Sequence, residues 1–142
     1  MKKSSMLMLP AILLVFAACG QKLDASKVPT AVKTSFEKAY PGVNAKWEKE
    51  DGNYEVSFKK DSKEVSIVVS ADGIILETET AIALTELPAA AASYLKTHYA
   101  GKTIKETARI TAKDGSLTYE AGLKEMDILF DSHGNFIKEV KD

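Results

Sequence analysis

The chain has 142 residues, of which 45% are hydrophobic and 27% are charged, as is ordinary for one small globular domain. Nineteen basic residues against twenty acidic ones give a net charge of −1, so the basic excess typical of a nucleic-acid-binding protein is missing. A single cysteine excludes a disulfide framework and a zinc site built from several cysteines. We expect no cofactor, no metal and no nucleic-acid partner.

Residues 1–18 have the pattern of a secretory signal peptide. Lys2 and Lys3 supply a positive start, and the stretch from Met6 to Val15 is almost entirely apolar. About thirteen apolar residues rise only ~20 Å as a helix, which is too short for the ~30 Å hydrocarbon core of a bilayer. We therefore expect this segment to be removed on export.

The only cysteine follows the apolar run directly. Phe16-Ala17-Ala18-Cys19 resembles the lipobox of bacterial lipoproteins. The resemblance implies cleavage before Cys19 and a lipid on its sulfur, and two or three acyl chains anchor a protein stably. A plain secretory signal with an incidental cysteine is the alternative. Residues 19–26 are predicted to be a polar tether, and the protein is predicted to be a periplasmic or outer-membrane lipoprotein of the cell envelope.

The rest of the chain, residues 27–142, contains an internal repeat in which residues 28–42 recur 59 positions later. The matching pairs are Val28 with Leu87, Pro29 with Pro88, Val32 with Ala91, Phe36 with Leu95, Tyr40 with Tyr99 and Gly42 with Gly101. The apolar members recur at helical spacing, with proline near the start and glycine after the end of each helix. We therefore divide this body into the repeats 27–82 and 83–142, each opening with a helix.

Each predicted helix is followed by four segments in which apolar and polar residues alternate. These segments are 45–50, 54–59, 65–69 and 74–77 in the first repeat, and 104–111, 117–123, 126–130 and 136–140 in the second. Period-two alternation with Asp-Gly turns is typical of antiparallel hairpins. The predicted class is α+β: two tandem repeats, each one α-helix followed by a four-stranded antiparallel meander, with the helices packed on one sheet face.

Several motifs of the body resemble those of the PepSY-like lipoproteins, which are common in Bacteroidetes and similar in fold to a beta-lactamase inhibitor protein. The motifs are Val28 to Val32, Phe36 to Pro41, Lys46 to Val56, Leu76 to Glu79 and Phe130 to Asn135. The resemblance covers about residues 27–142. It implies a non-enzymatic periplasmic or surface protein that binds or inhibits another protein.

The inventory of reactive side chains argues against an enzyme. The two histidines, His98 and His133, are predicted at a helix end and in a hairpin turn, and no serine lies in a Gly-x-Ser-x-Gly motif. Asp131 to Asn135 weakly resembles the start of a calcium loop, but we interpret it as a polar turn. Glu77 and Glu79 share a strand face, and we interpret them as a solvated strand end rather than a catalytic acid pair.

The sheet face without helices is the better candidate for function. Val68 and Leu129 interrupt its polar residues at equivalent positions, 61 apart, beside the equivalent Glu55 and Glu120. Two apolar residues on an open face suggest a modest contact patch, although scattered surface apolar residues are the alternative. Trp47, the only tryptophan, is either an exposed interface anchor or part of the core.

These observations predict a non-enzymatic envelope lipoprotein that binds a protein or peptide through its open sheet face, with inhibition as one form of that binding. Its contact with the membrane is expected through the lipid anchor alone. The alternative is a small-molecule or metal-binding periplasmic module that uses a cleft between the repeats. A hydrolase is the remaining and weakest hypothesis.

Overall fold

The computed structural model describes residues 20–141, which form one antiparallel sheet of nine strands and two α-helices. The sheet order follows the chain without a crossover. The strands are β1 (Gln21–Leu23), β2 (Lys46–Glu50), β3 (Asn53–Lys60), β4 (Lys63–Val69), β5 (Ile75–Ala81), β6 (Glu106–Ala112), β7 (Leu117–Leu123), β8 (Met126–Asp131) and β9 (Phe136–Lys141). The helices are α1 (Thr30–Ala39) and α2 (Ala89–His98), and short 3-10 helices lie at Ala25–Lys27 and Leu84–Glu86. The expected α+β class is confirmed.

Each helix covers the strands that follow it in the chain. Val32 and Phe36 of α1 lie in a buried cluster with apolar residues of β3 and β4, whereas Ala91 and Leu95 of α2 lie in a second cluster. The strand members of the first cluster are Tyr54, Val56, Phe58, Val65, Ile67 and Val69, and those of the second are Ala121, Leu123, Ile128 and Phe130. Burial of these side chains is the main stabilising contribution of the helices, since ten-residue helices are marginal alone.

Both helices lie on the same face of the sheet, as the strand register shows. Val56 is opposite Ile67, Ile67 is opposite Thr78, and Thr78 is opposite Thr111. Thr111 is opposite Leu117, which alternates with Tyr119 and Ala121 on one side of β7. Because opposite residues share a face, the partners of α1 and α2 are on one continuous surface.

The predicted tether over residues 19–26 is wrong, because residues Gln21–Leu23 are a strand of the sheet. Gln21 is opposite Lys49, and Leu23 is opposite Trp47 and packs against the first cluster. One apolar side chain and three backbone pairings therefore hold this segment to the fold. The predicted signal peptide and Cys19 lie outside the described residues. In the part of the chain that is described, no helix is both long and apolar enough to cross a membrane.

The turns at one end of the sheet are fitted against the helices. Gly73, in the turn before β5, has φ +89°, and a Cβ there would lie 2.7 Å from the carbonyl oxygen of Ala31 in α1. The hydroxyl of Ser35 donates a hydrogen bond to the carbonyl of Gly73. Gly52 has a similar φ of +81°, but nothing lies within 4 Å of its missing Cβ.

Replacing Gly52 and Gly73 separately distinguishes the cost of a left-handed backbone from the cost of displacing α1. We expect Gly52→Ala to lower the free energy of unfolding by about 1 kcal/mol, because only the left-handed backbone opposes a side chain. We expect Gly73→Ala to lose about 1–3 kcal/mol more, because its Cβ also displaces α1. Urea unfolding measures both, and equal losses would show that the turn does not contact the helix.

Candidate functional site

The face of the sheet opposite the helices, here called the helix-free face, is defined by the other half of the strand register. On it Glu55 is opposite Val68, and Val68 is opposite Glu77. Glu79 is opposite both Ser66 and Ile110. Its central members are Glu55, Ser57, Glu64, Ser66, Val68, Glu77, Glu79, Glu106, Ala108, Ile110, Glu120, Gly122, Asp127 and Leu129.

Much of the helix-free face is buried, although no described helix packs on it. Leu129 is 0% exposed, Ile110 is 2% exposed and Val68 is 7% exposed. The side chains of neighbouring strands therefore cover one another, which we attribute to a curl of the twisted sheet towards this face. At Gly122 a Cβ would lie 2.8 Å from the Cγ of Glu106, so a flanking side chain leans over the glycine.

This burial corrects the prediction that Val68 and Leu129 form an exposed contact patch. Both are covered by the curled sheet and cannot touch a partner without displacement of their neighbours. The alternation of apolar and polar residues along each strand predicts the correct sheet face for Val68 and Leu129, but it does not predict the curvature of the sheet. The sequence does hold one signal of the burial, because the alternating Ala108 and Ile110 put apolar side chains at the centre of the same face.

The centre of the helix-free face is acidic. Between β4 and β8 the described residues that face this way include seven carboxyl groups and no lysine or arginine. Six of them are Glu64, Glu77, Glu79, Glu106, Glu120 and Asp127, and the seventh is Asp131 at the end of β8. The lysines of this face lie towards its margins: Lys22 and Lys46 on the first two strands, Lys59 on β3 and Lys138 on β9. Lys59 forms an ion pair with Glu64 at 3.0 Å, and both side chains are exposed.

Two of these carboxyl groups have no partner among the described residues, the buried Glu77 and the partly exposed Glu79. Glu77 is 9% exposed, and neither Glu77 nor Glu79 accepts a hydrogen bond or forms an ion pair. Burial raises the pKa of Glu77 to about 7. Burial, followed by repulsion from Glu120, Glu77, Glu106 and Glu55, raises the pKa of Glu79 to about 9. The interpretation of this pair as a solvated strand end is therefore wrong.

The predicted binding residues Glu55 and Glu120 lie on the helix-free face, on either side of this pair. Burial raises the pKa of Glu55, as do Glu48 and Glu50, whereas hydrogen bonds from the Ser57 and Ser66 hydroxyls oppose the shift. Glu120 is 2% exposed and lies opposite Ala108 on β6 and Leu129 on β8. Their role in binding stays a prediction.

A cavity of about 260 Å³ opens on this face at the junction of the two halves of the chain. Its wall comes from β3, β4, β5 and the start of β6. The polar side chains of this wall are Ser57, Glu64, Ser66, Glu79 and Glu106.

Trp47 is separated from the other predicted binding residues. It lies opposite Val56, on the helix side of the sheet, and its ring meets Phe36 edge-on at 5.3 Å between centroids. It is half-buried and lines an open groove of about 700 Å³ between α1 and β2. It is a member of the core edge with one part exposed, and its role as an interface anchor stays a prediction.

The histidines and the Asp131 turn have local structural roles. His98 ends α2 and its ring lies 4.1 Å from that of Tyr94. Oδ1 of Asp131 accepts hydrogen bonds from the backbone N–H groups of His133 and Asn135, each at 2.9 Å, which closes a polar turn. Within residues 20–141 there is no group of three or more His, Cys, Asp or Glu residues that could hold a metal ion.

The sequence matches the model of a known protein family. The model of the PepSY-like family, described as beta-lactamase-inhibitor-like, matches residues 17–77 and again 70–138. The chain belongs to the PepSY-like family. Each match contains one helix with strands that follow it.

Solved structures from Bacteroides share the fold of this PepSY-like protein. A candidate periplasmic protein from Bacteroides eggerthii is similar with a TM-score of 0.73 at 16% identity, over 80% of this chain and 88% of that one. A BLIP-like protein from Bacteroides fragilis is similar with a TM-score of 0.65 at 21% identity, over 80% and 86%. No curated protein matches the sequence.

The raised pKa values of Glu77 and Glu79 predict that stability falls as the pH rises. The folded chain binds more protons than the unfolded chain between the ordinary pKa of 4.5 and the folded values of about 7 and about 9. The stabilising contribution is thus complete below pH 4.5 and is lost as the pH rises through the folded values. We expect the melting temperature to fall by roughly 5 °C or more between pH 6 and pH 9.

Circular dichroism melting curves of the wild type and two variants test this expectation. Glu79→Gln should flatten the decrease, because the neutral amide removes the group that must ionise. Glu125→Gln, at an exposed turn, should leave it unchanged. A wild-type melting temperature that stays level or rises from pH 6 to pH 9 would contradict the burial of these carboxyl groups.

Proposed function

We propose that this protein is a non-enzymatic lipoprotein of the cell envelope that holds a protein or peptide partner on its helix-free face. The observation that carries the proposal is the buried Glu77 without a partner, beside the mutually repelling carboxyl groups around Glu79. Buried polar groups are normally hydrogen-bonded, and leaving a carboxyl unsatisfied destabilises the fold. Such unfavourable groups are concentrated at functional sites, where a ligand supplies the hydrogen bonds or the opposite charge that the protein does not provide.

Binding is a better account of this face than catalysis. Its central residues carry carboxyl, hydroxyl and apolar groups, and both histidines lie elsewhere, at the end of α2 and in the turn before β9. A nucleophilic mechanism needs a nucleophile beside a base that activates it. The cavity of about 260 Å³ is also smaller than the ~300–1,000 Å³ typical of small-molecule pockets.

The inhibitor-like description of the family supports a partner of protein nature. One similar structure is described as BLIP-like, and inhibition of an enzyme is one form that binding takes on such a fold. On this chain, Glu55 and the rim of the cavity are among the accessible parts of the face. Val68, Leu129 and Glu120 are buried, so we assign them to holding its shape.

The same proposal places the protein on a membrane through its N-terminus. Residues 1–18 have the signal-peptide pattern, Cys19 follows the lipobox-like sequence, and a protein of the same fold is described as periplasmic. Because β1 begins two residues after Cys19, a lipid there would hold this edge of the sheet within ~7 Å of the anchor.

Replacing the proposed lipid attachment site tests the anchor. We expect Cys19→Ser to move the protein from the membrane fraction to the soluble fraction of the envelope or to leave its signal peptide uncleaved, because the thiol is the acceptor of the lipid. Fractionation with immunoblotting measures both. Unchanged partitioning of a processed Cys19→Ser protein would refute lipidation.

Charge reversal on the helix-free face tests the binding site. We expect Glu64→Lys with Glu106→Lys to reduce capture of envelope proteins at least about fivefold, since both side chains line the cavity and are exposed. The matched control, Asp51→Lys with Glu125→Lys, changes the net charge equally at exposed turns and should capture the same proteins as the wild type. Capture is quantified by mass spectrometry after circular dichroism shows that both variants fold. Equal capture by both double variants would contradict the proposed site.

A further inference from the structure

We propose that the helix-free face receives an extended cationic segment of a partner protein, with a lysine or arginine side chain entering the cavity between β3 and β6. The inference rests on the proposed function and adds the chemistry of the partner. It follows from three independent features of the face: its charge, a buried group without a partner, and the shape of its cavity.

The charge of the face is complementary to a basic segment. Seven carboxyl groups face this way between β4 and β8, and no lysine or arginine of these strands shares the face with them. The marginal Lys59 reaches only the exposed Glu64, at the edge of the cavity. A basic partner therefore meets attraction across the centre of the face, whereas an acidic partner meets repulsion.

The carboxyl of Glu77, on the same face as the cavity, has no protein partner among the described residues. It is nine-tenths buried, and no described residue supplies a hydrogen bond or a positive charge to it. Its strand neighbours on this face are Val68 and Ala112, which cannot donate from their side chains. An ammonium or guanidinium group would provide the missing donors, and charge-assisted hydrogen bonds are the strong ones.

The cavity has the dimensions and lining for a long cationic side chain. It encloses about 260 Å³, which suits one residue of a partner better than a whole small-molecule ligand. Glu79, Glu64 and Glu106 line it, together with the hydroxyl-bearing Ser57 and Ser66. The titratable groups around Glu79 come from β3, β5, β6 and β7, as Glu55, Glu77, Glu106 and Glu120, and all of them are acidic.

The proposal predicts that the affinity for a basic peptide depends on pH. The pKa of Glu79 lies near 9 in the free protein because of burial and repulsion, so a cation that binds there must displace a proton at neutral pH. The affinity for a basic peptide should therefore rise with pH, at least about fivefold between pH 6 and pH 8, with release of protons. Surface carboxylates with the ordinary pKa of 4.5 would already be ionised at pH 6 and would give a flat profile.

Isothermal titration calorimetry on the processed protein, purified from membranes in a non-ionic detergent, tests the proposal. The probes are an octapeptide of alternating glycine and lysine and matched peptides with glutamine or glutamate in place of lysine, at pH 6, 7 and 8. Two buffers of different ionisation enthalpy count the protons released. We expect binding of the lysine peptide alone, with an affinity that rises with pH.

Two variants test whether the lysine peptide binds in the cavity. We expect Glu79→Gln to weaken binding of the lysine peptide at least about fivefold at pH 8 and to remove most of its pH dependence, while Glu125→Gln binds as the wild type does. A lysine peptide that binds no more tightly than the glutamine peptide, or with a flat pH profile, would overturn the proposal. If envelope capture still depends on Glu64 and Glu106 in that case, the binding site stands and the cationic chemistry alone is wrong.

Discussion

A nine-stranded sheet with both of its helices on one side has to cover its other side with its own side chains. In this PepSY-like protein the cover comes from curvature, since Leu129 and Ile110 are buried on a face where no described helix packs. Curling towards one face brings side chains of neighbouring strands together over positions such as Gly122. The environment of the acidic centre depends on that constraint, because a flat sheet would leave Glu77 and Glu79 in water.

The two faces of the sheet thus bury different kinds of side chain. On the helix side, Phe36 and Leu95 anchor α1 and α2 in apolar clusters of the ordinary kind. On the helix-free side, the same strands concentrate carboxyl groups at positions where their charge is unfavourable. Apolar side chains of similar volume would be more stabilising there, so the choice of glutamate is best explained by binding.

The sequence predicts the parts of this structure that arise from local pattern. The apolar stripe of Val32 and Phe36 predicts α1, and the Asp-Gly turns predict the hairpin register. Because side chains alternate between the two faces of a strand, the sheet face of Glu55 and of Glu120 follows from that register. β1 has only three residues and no alternation to detect, which is why it was expected to be a tether. Its pairing with β2 depends on contacts with Trp47, far away in the chain.

The candidate site is less predictable because curvature is a property of the whole sheet. The acidic members of the face can be counted from the sequence, but their burial depends on the combined twist of nine strands. The exposed patch expected at Val68 and Leu129 and the solvated end expected at Glu77 fail for this one reason. The apolar Ala108 and Ile110 are the one feature of the sequence that indicates a buried centre of the helix-free face.

Nuclear magnetic resonance of the glutamate side chains, with the carboxyl carbons labelled, is the most direct test of this account. Chemical shifts of Glu77 and Glu79 followed from pH 3 to pH 10 report the protonation of each group in the folded protein. The curled, self-covered face predicts midpoints near pH 7 for Glu77 and near pH 9 for Glu79. Midpoints near pH 4.5 for both would show that water reaches the face freely and would contradict the account.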